Sequence, residues 1–300
     1  MGKKRACLIG LGQITQSYID GLAASDLELC AVSDTNEDAA SRSLYAQYPF
    51  YVDYRAMLAA EKPEYAIIST PPQSHFEIAR HCLEQGVNII VEKPVVLYLE
   101  EWDALEKLAM EKGLVFRTLF HWLGGIETRA VAERYDTKQI QELEISVLDP
   151  YCDDGKTIHE DRRPLRGAWI DSGVNALSMI RLWLPMNQVE LVSAKTQKCP
   201  QTQLPVYVSV ELMIDGVPTK ITVDWRKGKN YKESRFLYQG RWVRIDHSGQ
   251  CIDDGGITEY GRMSRMQEHY YCLFSQMEFS SNVDFSRDVH EILYKVDAAL

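Results

Sequence analysis

The chain has 300 residues, 45% of them apolar and 25% charged, which suits one large domain or two ordinary ones with a substantial core. A net charge of −10 argues against nucleic acid or an anionic membrane surface as partner, and no run approaches the roughly 20 apolar residues of a membrane span. Only a handful of apolar residues separate the basic start from Gly10, too few for a signal core. The seven cysteines are odd in number and widely spaced, with no pair two residues apart. That pattern fits a reducing, cytoplasmic setting and no zinc or redox motif, and no His/Cys/carboxylate cluster has the spacing of a metal site.

The first part of the chain alternates short apolar runs with helical stretches. Ala6–Ile9, Leu27–Val32, Tyr65–Ser69, Val87–Val91 and Leu114–Thr118 have the continuous apolar character of buried parallel strands. Helices are expected near 13–24, 36–47, 53–61, 74–85 and 99–112. Ser74-His-Phe-Glu77 has the form of a capping box, and Lys112-Gly113 that of a helix stop. Such alternation implies a doubly wound α/β domain, a Rossmann-type parallel sheet, over residues 1–119.

The pattern changes near 120. Residues 121–135 have helical spacing, 139–148 strand spacing, and 149–168 form a charged loop. A helix over 172–184 ends at Pro185. Val206, Val208, Val210, Leu212 and Ile214 then alternate with Tyr207, Ser209, Glu211 and Met213, as on the two faces of a strand. Asp215-Gly216 and Gln239-Gly240 are hairpin signals. Two helices, near 262–279 and 286–300, close the chain. Residues 120–300 are therefore expected to form an α+β domain with an open, mainly antiparallel sheet. Its polar face, bearing Tyr207, Glu211 and Met213, is a candidate surface for a homo-oligomer.

Gly10-Leu-Gly12-Gln13-Ile14-Thr15 follows the first strand and opens a helix. Gly10 permits the tight turn, and Gly12 lets backbone approach a pyrophosphate. Thr15 stands where the fingerprint has Gly or Ala, so the motif alone is weak. Asp34 at the end of the second strand strengthens it, because an acid about 20 residues on takes ribose hydroxyls. A carboxylate there repels a 2′-phosphate and tilts the choice towards NAD over NADP. Thr70-Pro71-Pro72 and Glu92-Lys93-Pro94 lie at strand C-terminal ends, where open α/β sheets bind ligands. Thr70, Pro71, His75, Glu92 and Lys93 are accordingly candidates for the cofactor site.

Asp171-Ser-Gly-Val-Asn175 places a carboxylate and a carboxamide one helical turn apart. Side by side they could hold a hydroxyl and move its proton. Asp171 could equally cap the helix, and Asn175 could be a buried strut. His121, after the last strand of the first half, and His159, in the charged loop, are candidates to touch substrate; a solvated loop serves His159 as well.

Together these residues resemble the glucose-fructose oxidoreductase / inositol dehydrogenase (Gfo/Idh/MocA-type) family of two-domain NAD(P) oxidoreductases. The resemblance is carried by Gly10-x-Gly12, Asp34, Thr70-Pro71-Pro72 with His75, Glu92-Lys93-Pro94 and Asp171-x-Gly173. The family usually has His where this chain has Asn175. Asp171-Ser-Gly-Val-Asn-Ala-Leu-Ser178 is similar instead to the L-arabinose / D-galactose 1-dehydrogenase branch. The resemblance implies hydride transfer from C1 of an aldose to NAD or NADP, with a lactone as product. Lys93 would hold the reacting oxygen, Asp171 would act as base, and Asn175 would fix the hydroxyl. A free carboxylate is a weak base at neutral pH, so that role calls for burial. Members are commonly dimers or tetramers. The alternatives are a dehydrogenase or reductase of a cyclic polyol or keto-sugar, and a non-catalytic, cofactor-binding regulator.

Overall fold

A computed structural model describes residues 2–42, 44–261 and 263–300. The chain divides into two compact units, one of Met1–Phe120 with Tyr270–Asp284, the other of His121–His269 with Phe285–Leu300.

In the first unit, β1 (Lys4–Ile9), β2 (Leu27–Ser33), β3 (Phe50–Tyr51), β4 (Tyr65–Ile68), β5 (Asn88–Glu92) and β6 (Phe116–Leu119) form a sheet in the order β3-β2-β1-β4-β5-β6. Every pairing is parallel. Ala6–Leu8, Ala66–Ile68 and Ile89–Val91 have no exposed surface; covered on both faces, such strands are apolar throughout. The two-residue β3 is too short to show any periodicity. Between the strands run α1 (Ile19–Ala24), α2 (Asp38–Arg42), α3 (Tyr54–Glu61), α4 (Pro72–Glu84) and α5 (Leu99–Lys112). Position 43, within the helix expected over 36–47, lies outside the described residues.

Two helix starts differ from expectation. The turn after β1 is a 3₁₀ segment, Gln13–Ser17, ahead of the short α1, because the Thr15 hydroxyl donates to the Gly12 carbonyl at 2.7 Å and tightens it. α4 begins at Pro72, whose fixed φ and missing N–H suit the first helical position. The capping box does not form. The Ser74 hydroxyl donates to the Pro71 carbonyl at 2.9 Å, and Glu77 pairs with Arg80 at 2.8 Å. α5 ends as the Gly113 stop requires, with that residue at φ 64° and Leu114 N–H donating to the Ala109 carbonyl.

The returning segment 270–284 belongs to this sheet for a specific reason. Ser281 Oγ and Asn282 Oδ1 accept the N–H groups of Phe116 and Thr118, and Asn282 Nδ2 donates to the Thr118 carbonyl. The open edge of β6 is thereby satisfied by side chains. A single cut at 119/120 misses this return.

The second unit is built on an eight-stranded sheet of β7 (Ile140–Leu148), β10 (Val189–Lys198), β11 (Pro205–Ile214), β12 (Val217–Asp224), β13 (Tyr231–Tyr238), β14 (Arg241–Asp246), β15 (Cys251–Asp253) and β16 (Ile257–Glu259), ordered β10-β11-β12-β7-β13-β14-β15-β16. A separate two-stranded hairpin, β8 (Cys152–Asp153) with β9 (Thr157–Ile158), sits in the charged loop. Most pairings are antiparallel, but β12 and β7 run parallel. Val206, Val208, Val210, Leu212 and Ile214 are buried while Glu211 is exposed, as the alternation requires. Asp215/Gly216 and Gln239/Gly240 all have positive φ, the signature of two-residue hairpin turns matching strand twist. The helices are α6 (Ile126–Arg134), α7 (Val174–Trp183), α8 (Arg265–Ser275), which passes from this unit into the first at Tyr270, and α9 (Val283–Asp297). Position 262, at the start of the helix expected over 262–279, lies outside the described residues.

Candidate active site

The first unit gathers its candidate residues at the C-terminal ends of β1, β2, β4 and β5. Gly10 has φ 92°, and a Cβ there would sit 2.7 Å from the Ser69 carbonyl oxygen; glycine is required on both counts. A Cβ on Gly12 would meet nothing within 4 Å, so the outer side of the turn is open to a close-lying group. Gln13 is exposed and Ile14 half-buried in the same turn. Asp34 braces this loop. Its two carboxylate oxygens accept the N–H groups of Leu11 at 2.7 Å and Asn36 at 2.8 Å. A carboxylate has about four acceptor positions, so two remain for ribose hydroxyls. The open glycine turn and the oriented acid together fit a dinucleotide.

His75, Glu92 and Lys93 differ in what they can offer. The His75 ring nitrogens lie 2.8 Å from the Pro94 carbonyl and 2.7 Å from the Thr70 carbonyl. Burial lowers its pKa, against those two carbonyls, which favour the charged ring. The neutral ring donates to one of these carbonyls and faces the other with its second nitrogen, so that His75 lies between the Thr70 and Pro94 loops. Thr70 Oγ1 lies 2.8 Å from Ser74 Oγ, and Pro71 is exposed ahead of α4. Glu92 is buried, and its Oε1 accepts hydrogen bonds from Tyr18 and Tyr270, both at 2.6 Å. It is an internal residue rather than a cofactor ligand. Lys93 is half-buried and precedes a cis proline, Pro94.

In the second unit, Asp171 lies inside a helical segment rather than at its cap. Gly167 has φ 96°, where a Cβ would meet the Pro205 carbonyl at 2.8 Å. The chain coils immediately after it, through a wide π turn, Trp169–Gly173, that runs into α7. Trp169 donates from Nε1 to the Leu293 carbonyl at 2.8 Å, and its ring lies where a Cβ on Gly173 would be, 2.6 Å from Cε3. The packed turn rests on β11 and β12. It leaves Asp171 half-buried and Asn175 7% exposed. Asn175 Nδ2 donates to the Asp171 carbonyl at 3.2 Å, and its Oδ1 has no hydrogen-bond donor. The carbonyl fixes the amide, since the flipped form would set oxygen against oxygen.

Beside Asp171 lies a polar layer that its sequence neighbours do not reveal. Ser172 donates to Asp149 at 3.2 Å, and Asp149 pairs with the buried Lys232 at 2.5 Å. Burial lowers the Lys232 pKa while Asp149 and Asp171 oppose that fall. His121 opens a 3₁₀ turn, His121–Gly124, that packs on α7, and its ring centroid lies 5.7 Å from that of His269, the planes tilted by 33°. Behind it Glu127 accepts from His247 at 2.9 Å with His269 at 3.7 Å, all fully buried. Burial alone would raise the Glu127 pKa; the two histidines outweigh it and hold the carboxyl well below its usual range. His159 is half-buried and tied to Asp153 at 3.2 Å. Arg162, from the same loop, lies 4.4 Å over the Tyr151 ring. Among the described residues no group of three His, Cys, Asp or Glu is placed to hold a metal ion, and no helix is long and apolar enough to cross a membrane.

A six-stranded parallel sheet with an open glycine turn after β1 and an oriented acid after β2 defines a dinucleotide-binding domain. Residues 4–120 match the model of the Gfo/Idh/MocA oxidoreductase family, NAD-binding Rossmann fold. The match spans the parallel-sheet domain, about two fifths of the chain, and the matched domain is of the NAD-binding class. The chain is 28% identical over 148 residues to D-glucoside 3-dehydrogenase of Escherichia coli, a match covering 47% of this chain and 42% of that protein. It is 33% identical over 112 residues to UDP-N-acetylglucosamine 3-dehydrogenase of Acidithiobacillus ferrooxidans, covering 37% and 35%. These matches thus span less than half the length of either relative. The solved structure of the latter superposes with a TM-score of 0.81 over 100% of this chain and 98% of that one at 19% identity. D-galactose-1-dehydrogenase from Rhizobium etli gives 0.78 over 98% and 95% at 21% identity. At such identities the structures speak to fold alone.

Proposed function

We propose that the protein is an NAD(P)-dependent dehydrogenase that oxidises a sugar at C1 to a lactone. The observation that carries the proposal is Asn175. It is a buried amide with one end fixed by the Asp171 carbonyl and the other an acceptor without a donor. A buried acceptor left in this way costs about 1–3 kcal/mol, and a substrate hydroxyl would repay it. Asp171, one turn earlier, takes the hydroxyl proton. Lys93, at the end of β5, holds the reacting oxygen, and its cation favours the developing alkoxide. Bound nicotinamide supplies the hydride acceptor. Gly10, Gly12, Gln13, Ile14, Asp34, Thr70 and Pro71 line the turns that bind the dinucleotide, with His75 and Glu92 bracing them. His121 is kept as a substrate contact because its turn packs on α7.

A second reading is oxidation of a ring hydroxyl to a ketone, favoured by the 3-dehydrogenase names of the two sequence relatives. The outward sheet face bearing Tyr207, Glu211 and Met213 is the surface we assign to self-association. The test is absorbance at 340 nm with NAD and then NADP against aldoses, glycosides and polyols, with product analysis. Lactone from one aldose supports the first reading and ketone the second. Cofactor binding without reduction of NAD or NADP by any substrate would leave only a regulator.

A further inference from the structure

Glu92 is a carboxylate buried at the C-terminal end of β5, and the groups hydrogen-bonded to it are donors. The Tyr18 and Tyr270 hydroxyls both reach Oε1 at 2.6 Å, and Oε2 accepts the Lys93 N–H at 3.2 Å. Ser69 Oγ lies 3.2 Å from the Tyr18 oxygen and donates to it, since the Tyr18 proton is already given to Glu92. Three hydrogen-bond donors suit an ionised carboxylate. Burial raises the pKa of Glu92, and the two phenols and Lys93 oppose that rise. Burial, together with the Glu92 charge, drives both phenols well above their usual range, so they stay protonated and remain donors.

The two tyrosines are themselves fixed. Their rings lie 4.6 Å apart, and Phe274 stands 5.2 Å from Tyr18. A Cβ on Gly21 would come within 2.6 Å of the Tyr270 carbonyl oxygen, so only glycine lets α1 approach α8 closely enough to bring both hydroxyls to one oxygen. This packing joins positions 18, 92 and 270 within one unit.

We propose that Tyr18 and Tyr270 are positioning residues for Lys93. By donating two phenolic O–H groups to one oxygen of Glu92, they hold that carboxylate as a fixed anion beside the Lys93 backbone and so set the lysine. The proposal rests on Lys93 as the working lysine of the dehydrogenase. Tyr270→Phe, Tyr18→Phe and the double variant test it. Hydrogen bonds to charged groups are worth enough that each single variant should lower kcat about tenfold and the double about a hundredfold. The sugar KM and the NADH Kd should change by less than about threefold. The acid limb of the kcat–pH profile should move upward, because Glu92 with fewer donors takes a proton at higher pH.

A substrate-free arm follows labelling of Lys93 by trinitrobenzenesulfonate, read by peptide mass spectrometry. It should run at least about threefold faster in the double variant, whose lysine has lost its neighbouring anion. Lower thermal stability with wild-type kcat, pH profile and Lys93 labelling would overturn the proposal and leave the tyrosines a packing role. If no sugar reduces NAD with the wild type, the dehydrogenase reading fails, and the labelling rate alone decides the clamp. Should Tyr270→Phe not fold, Tyr18→Phe carries the same readouts.

Discussion

Asp34→Ala separates the cofactor site from a merely well-packed turn. The carboxylate holds the Leu11 and Asn36 N–H groups at 2.7 and 2.8 Å and has two acceptor positions left. Hydrogen bonds to a charged group are worth about 1.5–3 kcal/mol each. One such bond lost to a ribose hydroxyl is therefore about a tenfold to hundredfold weaker NAD complex. NADP should behave differently. The carboxylate repels its 2′-phosphate, and removing that repulsion offsets the looser loop, so NADP affinity should stay within about threefold or improve. The Kd ratio of NADP to NAD should thus fall by at least about threefold. NADH and NADPH fluorescence titrations measure it, with Asp34→Asn as the companion that keeps one acceptor. Equal weakening of both cofactors would refute the reasoning, since it would mean that Asp34 only braces the loop.

Lys93→Ala should lower turnover by about three orders of magnitude with NADH binding nearly unchanged, as steady-state kinetics and titration would report. Gly10→Ala should cost stability and cofactor affinity together, because the Cβ collides with the Ser69 carbonyl and φ 92° is unfavourable to any side chain. We expect about 1–3 kcal/mol in urea denaturation. His290 is fully buried, its Nδ1 2.7 Å from the Ser286 carbonyl, and burial lowers its pKa from 6.5 to about 4. Its folded-state value is depressed, so its neutral form stabilises the fold above pH 6.5. That contribution, about 3 kcal/mol, is lost as pH falls from 6.5 towards 4, where the unfolded chain takes the proton first. His290→Gln should show a shallower loss of urea stability between pH 7 and 4.5. An acid loss equal to that of the wild type would contradict it.

Much of the parallel-sheet unit was legible because its strands are buried on both faces, which leaves unbroken apolar runs between helical stretches. The Gly10 turn and Asp34 were legible for a related reason: their neighbours lie close in sequence or follow from strand order. The start of α4 was misplaced because Ser74 and Glu77 have capping-box spacing, whereas Pro71-Pro72 had already set the backbone. Asp171 is not a cap because Gly167 turns the chain earlier, and Trp169 pulls the helix back against α9. The short strands β3, β15 and β16 hold too few residues for any period to appear. Roles that depend on distant partners gave no local signal. Glu92 meets Tyr270 and Asp149 meets Lys232 only through the fold, and His75 lies between two backbone carbonyls that no motif announces.

The most direct test of the account is the fate of a labelled hydrogen. An aldose carrying deuterium at C1, incubated with NAD and the protein, should give NADH with deuterium at C4 of the nicotinamide, together with unlabelled lactone. Unlabelled NADH, or none with any sugar, would contradict hydride transfer from C1.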